Sequence, residues 1–345
     1  MMTGHSVDYA AWPELPWAAW GDTLATLHMW TQIVGKIRLA AAAPESHWWH
    51  APLYVTARGL TTSAMPYRQR LFEIDFDFIR HRLLLAESGG RPAEVELEAK
   101  SVAAFYRETM DALRSLDVDL SIRTTPVEVV EAIPFDQDDA HATYDPGHAH
   151  AFWTALTQAH RLLTLFAAPF VGKVSPAQFY WGSFDLVTNR FSGRRAPTHP
   201  GGAPNCPAWV MEEAYSHELS TAGWWPLNRE LGPAFFGFIY PEPKGFREAV
   251  IRPDAAFYDV ALGEFILRHD DVRALDEPDA AVLAFLEDTY SSGADLARWP
   301  RQAFESPSYP ADGPPRGAWS TNTAELLRES AASETAASAA ANDQH

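Results

Sequence analysis

The amino-acid sequence predicts an α+β protein of two related halves, each with helices packed on an antiparallel sheet, and with an inserted loop and helix in the second half. Three observations carry that expectation. Long segments repeat apolar residues at helical spacing while shorter ones alternate apolar with polar residues, the periods of amphipathic helices and half-buried strands. Trp49, Val55, Thr56 and Arg58 recur at one constant spacing as Trp181, Val187, Thr188 and Arg190, and upstream Trp20, Leu24 and His28 face Phe152, Leu156 and His160. The turn after Arg58 is short, whereas the matching point in the second copy opens into a long insertion, 192–231.

The elements follow in order. Asp22 can cap a helix over 23–43 in which Leu24, Leu27, Ile33 and Ile37 recur at helical spacing, and Pro44 ends the run. Aromatic and branched residues from Trp48 to Arg58 predict a strand that Gly59 closes. Phe72, Ile74, Phe76 and Phe78 alternate with Glu73, Asp75 and Asp77, which predicts a strand with one buried face and one acidic, solvated face. Leu83 to Ala86 pairs back, and Gly89-Gly90 turns the chain toward Val95 and Leu97. Ser101 opens a helix through Phe105, Met110 and Leu113, and short strands near 118–122 and 127–133 complete this half.

The acidic, turn-rich stretch 135–147 reads as a linker between halves 21–134 and 148–303. The second half is predicted as a helix over 148–167, an aromatic strand over 179–191, a helix over 207–220 inside the insertion, strands at 234–240, near 257 and at 264–267, and a helix over 279–296. Residues 1–20 form an N-terminal arm. The stretch 304–345, dense in Pro, Ser, Ala, Thr and Glu, is predicted to be a disordered tail.

Composition narrows the function classes. The 345 residues are 47% hydrophobic, ample for a large core. The 27 Lys and Arg against 45 Asp and Glu give a formal net charge of −18, which repels nucleic-acid phosphates and anionic lipid, so neither nucleic acid nor membrane is expected as a partner. Cys206 is the single cysteine, which excludes intramolecular disulfides and every multi-cysteine metal site. With no leader-like start and no apolar run long enough to span a bilayer, a soluble, cytoplasmic protein is expected. Thirteen Trp and 19 Phe supply core mass and stacking walls.

The nucleotide-loop, nucleophile-elbow and EF-hand patterns are absent. Inside the insertion, Glu213 and His217 stand four residues apart, so on one helix they would share a face and form a carboxylate-oriented acid or base. A surface ion pair is the commoner use of that spacing. Adding His199 makes a His-Glu-His metal set geometrically conceivable, but the zincin pattern is missing and no metal site or cofactor is assigned. Arg194 and Arg195, followed by His199-Pro200-Gly201-Gly202, make a cationic loop suited to a carboxylate or phosphate. Trp49 and Trp181 are candidate pocket walls. Asp185 and Asn189 share one face of the second strand where the first copy has Leu53 and Ala57, a polar gain that points to a site, although Arg190 could pair with Asp185 for structure alone. His47-Trp48-Trp49-His50 reads as a packed strand end, and the Gly-Lys steps at Lys36 and Lys173 as close packing with snorkelling lysines.

Trp12-Pro13-Glu14-Leu15-Pro16, the run 23–39 containing His28 to Lys36, His47 to Gly59 and Trp181 to Gly202, with its Phe191-Ser192-Gly193-Arg194-Arg195-Ala196-Pro197 string, resemble a bacterial family known only as a domain of unknown function. The resemblance reaches to about Trp299 and implies a self-contained protein without established catalytic residues. The leading expectation is an enzyme acting on a small anionic or aromatic metabolite in a pocket between the halves. The alternative is a non-catalytic protein that binds a small molecule or another protein. The two part on whether the polar residues converge.

Overall fold

The computed structural model describes residues 12–226 and 230–306. The first eleven residues of the expected arm and most of the expected tail, 307–345, lie outside the described residues. Helix α1 (Trp17–Ala41) is buried almost all round between Thr23 and Arg38, the pattern of a central rather than a surface helix. Trp20 stacks on Phe152 at 6.0 Å and Trp30 on Phe105 at 4.5 Å, fixing α1 against the helices on either side.

The next segment corrects the predicted strand over 48–58. Ser46–Trp48 is a single helical turn in which His47 and Trp48 both have left-handed backbone (φ 58° and 62°), and only β1 (Tyr54–Val55) and β2 (Gly59–Thr61) are extended. β3 (Met65–Tyr67), β4 (Arg70–Asp77), β5 (Arg82–Glu87) and β6 (Pro92–Glu96) follow, giving a six-stranded antiparallel sheet in the order β1-β2-β4-β5-β6 with β3 also on β4. On β4, Glu73 faces solvent as expected, but Asp77 is buried, because it accepts from Arg58 Nε at 2.8 Å and from the N–H groups of Ile79 and Arg80. Ser101 caps α2 (Val102–Ser115) by accepting from Ala104 N at 3.2 Å.

The two strands expected within 118–133 do not form, and that stretch runs as irregular chain. Its backbone groups bond instead to side chains of α1. Asp145 caps α3 (Pro146–Ala167), which packs on the second sheet: β7 (Gln178–Tyr180), β8 (Asp185–Arg195), β9 (His217–Trp225), β10 (Ala234–Tyr240), β11 (Phe257–Asp259) and β12 (Glu264–Arg268), in the order β11-β12-β10-β9-β8-β7. The aromatic strand predicted as continuous is broken at Trp181–Phe184, where Phe184 takes a positive φ of 60°. The helix predicted over 207–220 ends early: α4 (Ala208–Ala214) is short, and His217 opens β9 because the chain there pairs with β8. A short α5 (His269–Arg273) and then α6 (Pro278–Leu296) follow, with α6 lying on β10 beside α3.

Leu53 and Phe179 exchange both backbone hydrogen bonds at 2.9 Å, so the edges of the two sheets meet there. A single large core cluster contains residues from Trp12 to Trp299 and includes Phe135 and Tyr144 of the stretch expected as a linker. Both halves run helix, antiparallel sheet, helix, but the strand orders differ and the sequence match does not fall on equivalent positions: Trp49 precedes β1 while Trp181 follows β7. Helices packed on an antiparallel sheet are common to many α+β proteins, so this likeness alone does not make the halves copies of one another. Among the described residues, no helix is long and apolar enough to cross a membrane.

Candidate functional site

Strand β8 is buried on both faces, and the period of two divides its residues cleanly. Leu186, Thr188 and Arg190 point toward the helices, where the Arg190 guanidinium sits over Phe166 at 3.5 Å and pairs with Glu287 at 2.8 Å rather than with Asp185. Asp185, Val187, Asn189 and Phe191 point the other way and, with Thr221 of β9, Phe236 and Phe238 of β10 and Glu264 of β12, floor a cavity of about 660 Å³. That volume suits a small organic molecule. Thr221 Oγ1 donates to Asn189 Oδ1 at 2.7 Å, which fixes the Asn189 amide with its oxygen toward β9.

The walls come from distant stretches of chain. α1 supplies Lys36 and Leu39, the turn after it supplies His47 and Trp48, the irregular segment after α2 supplies Arg123, Val127 and Glu128, and the insertion supplies Cys206, Trp209 and Tyr215 as a roof. Trp181 and Trp225 complete an aromatic lining. Their indoles are fixed by donation to Ala51 O at 2.9 Å and to Ser183 O at 3.0 Å. α4 carries no buried residue and is held from below: Trp48 Nε1 donates to Val210 O at 2.9 Å, His47 N donates to Glu213 Oε1 at 2.8 Å, and Trp209 rests on Trp48 with ring centres 5.3 Å apart.

The charge inside the cavity is the informative part. Burial raises Asp185 to about 6, against a partial offset from the Ser183 hydroxyl. Burial and the neighbouring Asp185 raise Glu128 to about 7, and burial, Asp185 and Asp259 raise Glu264 to about 8. Glu128 is exposed as a residue, but its carboxyl lies against Gly182 in the cavity lining beside Asp185, and that setting disfavours its charge. Among the described residues none of the three forms an ion pair. Burial also raises the phenols of Tyr180 and Tyr215. The lining amine, Lys36, is lowered to about 8 by burial and by Arg123, and its ammonium is engaged by the carbonyls of Arg123 and Thr125. No group of three or more His, Cys, Asp or Glu among the described residues is arranged to hold a metal ion, so the carboxylates share a cavity without forming a metal cage.

Of the candidates read from sequence, Trp181, Asp185 and Asn189 line the cavity, whereas Trp49, Arg194, Arg195, His199, Glu213 and His217 do not. Trp49 packs beside Phe191, with Lys173 over its ring at 5.1 Å. The expected anion contacts are employed elsewhere. Arg194 donates to Glu218 and to the Ala297 carbonyl at the end of α6, and Arg195 is exposed at the end of β8. His199 stacks on Tyr215 at 4.7 Å and is not part of the lining. Glu213 and His217 share no helical face, because α4 stops between them; Glu213 holds the His47 backbone, and His217 meets Ser216 Oγ at 3.1 Å. Glu213 and His217 both reach His47, whose ring centre lies 5.5 Å from that of His217, while His199 packs on Tyr215. Sequence reasoning missed Glu128 and Glu264, and gave Trp48, Tyr215 and Trp225 no cavity role.

Fold and site together define an α+β protein with a roofed aromatic cavity on one sheet face and three carboxyl groups in its lining. The chain belongs to the family of unknown function DUF5996, whose family model matches residues 12–306. Comparison with curated proteins and with solved structures gives no match for it.

Proposed function

We propose that the cavity binds a small organic molecule with an aromatic or apolar body and a protonated amine. The observation that carries this reading is the set Asp185, Glu128 and Glu264, three carboxyl groups without a cationic partner in an aromatic lining. An ammonium group would supply the missing counter-charge, and the faces of Trp48, Trp181 and Trp225 attract cations as well as apolar surface. The net charge of −18 favours encounter with a cation over an anion. The aromatic part of the sequence expectation is kept, while Arg194, Arg195 and His199 stand outside the lining and leave it Lys36, engaged by the Arg123 and Thr125 carbonyls, and Arg123 as its cations against three carboxyl groups.

A second reading, acid–base catalysis on such an amine, is favoured by one observation. Asp185 near 6 and Glu264 near 8 bracket neutrality, so one can accept and the other donate a proton at the same pH.

Binding is tested with phenylpropylamine, phenylpropanol and phenylpropanoate, which share ring and chain and differ in head-group charge. Protein-observed NMR at mildly alkaline pH is expected to rank amine over alcohol over carboxylate, with about tenfold between the first two. Equal or tighter binding of the carboxylate overturns the reading. Turnover is tested by incubating an amine mixture with the protein and with Glu264→Gln; equal consumption by both removes Glu264 from any reaction.

A further inference from the structure

Helix α1, a buried helix that also encloses Thr23, Thr26, Thr31 and Arg38, carries His28, Gln32 and Lys36 at successive steps of four as a polar stripe. Polar groups buried in this way are costly unless they are bonded. Each is bonded to the cavity wall. Gln32 clamps Val127 from both sides, Nε2 donating to Val127 O at 2.8 Å and Oε1 accepting from Val127 N at 2.9 Å. This fixes the orientation of the amide. His28 Nε2 meets Gly182 O at 2.8 Å, and since a carbonyl only accepts, that nitrogen carries the hydrogen. The approach of Gln32 Nε2 to the same nitrogen at 3.1 Å is then a packing contact rather than a hydrogen bond. Lys36 donates to the Arg123 and Thr125 carbonyls one turn further on.

The two points held by Gln32 and His28 both bear on Glu128. Val127 is its chain neighbour. Gly182 lies directly beneath its carboxyl, where a Cβ would overlap Oε1. Glu128 itself has left-handed backbone (φ 60°), an unfavourable conformation for a residue with a side chain, which persists only where the surroundings impose it. Its N–H donates to Pro204 O at 2.7 Å, and on the cavity side its neighbours include Asp185 and Cys206.

We infer that Gln32, braced beside His28 on α1, is the positioning residue that holds the Glu128 carboxyl over Gly182 and toward Asp185, and so sets the preference of the cavity for a charged amine. The amine part of this inference rests on the proposed function; the placement of Glu128 does not. Gln32 touches no ligand in this arrangement. It acts by fixing the wall from which Glu128 projects.

The test compares the wild-type protein with Gln32→Met, which keeps the side-chain length and deletes both bonds to Val127, and with Gln32→Glu, which keeps the acceptor for Val127 N. Carboxyl-carbon NMR follows the Glu128 titration, assigned by its loss in Glu128→Gln. In Gln32→Met that titration is expected to move from near 7 toward the ordinary carboxylate range, with Gln32→Glu recovering part of the shift. The preference for phenylpropylamine over phenylpropanol should fall about tenfold, the scale of one charge-assisted hydrogen bond. An unchanged Glu128 titration in Gln32→Met, whatever the loss in melting temperature, makes Gln32 merely structural and overturns the inference. If the wild-type protein shows no amine preference, the proposed function fails while the titration still decides the role of Gln32. Should Gln32→Met not fold, Gly182→Ala displaces the same carboxyl from the opposite side, and an unmoved Glu128 titration there overturns the placement.

Discussion

The indole of Trp181 occupies the space where Gly35 would carry a Cβ, and a methyl group built at Gly35 overlaps the ring. Gly35 lies in the buried middle of α1, where glycine is otherwise unfavourable by about 0.5–1 kcal/mol relative to alanine. The close approach explains its presence, and it places Trp181 in the cavity wall with Nε1 on Ala51 O.

Gly35→Ala is therefore expected to destabilise the protein by about 1–3 kcal/mol, the range for overpacking a filled core, although the same change on an open helix face is stabilising by up to about 1 kcal/mol. The denaturant midpoint should fall, and the emission of Trp181 should shift as its bond to Ala51 is strained. A raised midpoint would show that the ring has room to move, and that α1 does not set the position of the wall.

How far the sequence revealed this arrangement depends on where each residue finds its partner. β4, the Ser101 cap of α2 and the stripe of α3 were legible because their signals lie within a few residues. The segment 118–133 was misread as strands because its backbone partners, Gln32 and Lys36, are side chains about ninety residues away. Asp185 and Asn189 were legible as a polar face of one strand. Glu128 and Glu264 were not, since their desolvation arises only when β12 and the irregular wall close around Asp185. The Glu213 and His217 spacing misled because β-pairing with β8 overrode the helical pattern.

Glu264 gives a signed pH prediction. Its folded pKa, raised to about 8 by burial and by Asp185, exceeds the unfolded value of 4.5, so between these limits the folded state holds a proton that the unfolded chain has released. Stability from this group is full below the lower value and is lost as pH rises through the upper one. Glu128 and Asp185 act in the same sense, whereas His28, lowered to about 4 by burial, stabilises as pH rises through its unfolded value of 6.5. The difference between wild type and Glu264→Gln isolates the one carboxyl. The variant is expected to gain stability relative to wild type from about pH 5 to about pH 9 in urea titrations. A difference independent of pH would mean that Glu264 is solvated and ionised like a surface residue, and would remove it from the cavity argument.

The roof offers a test of mobility without any ligand. α4 buries none of its side chains and depends on the turn at Ser46–Trp48, where His47 and Trp48 hold unfavourable left-handed backbone under bonds to Glu213 and Val210. Trp48→Phe deletes the 2.9 Å bond from Nε1 to Val210 O and reduces the stacking surface offered to Trp209 while leaving an aromatic wall in place. One neutral hydrogen bond contributes about 0.5–1.5 kcal/mol net, so local opening of the roof should become about two- to tenfold more frequent. Amide hydrogen exchange across 208–214 should accelerate by that factor, with α3 and β10 unchanged, because α4 packs chiefly on the turn at Ser46–Trp48. Uniform acceleration across all elements would instead mark a loss of global stability, and no acceleration would mean that the bonds from Glu213 and Ala214 to His47 suffice to keep the roof closed.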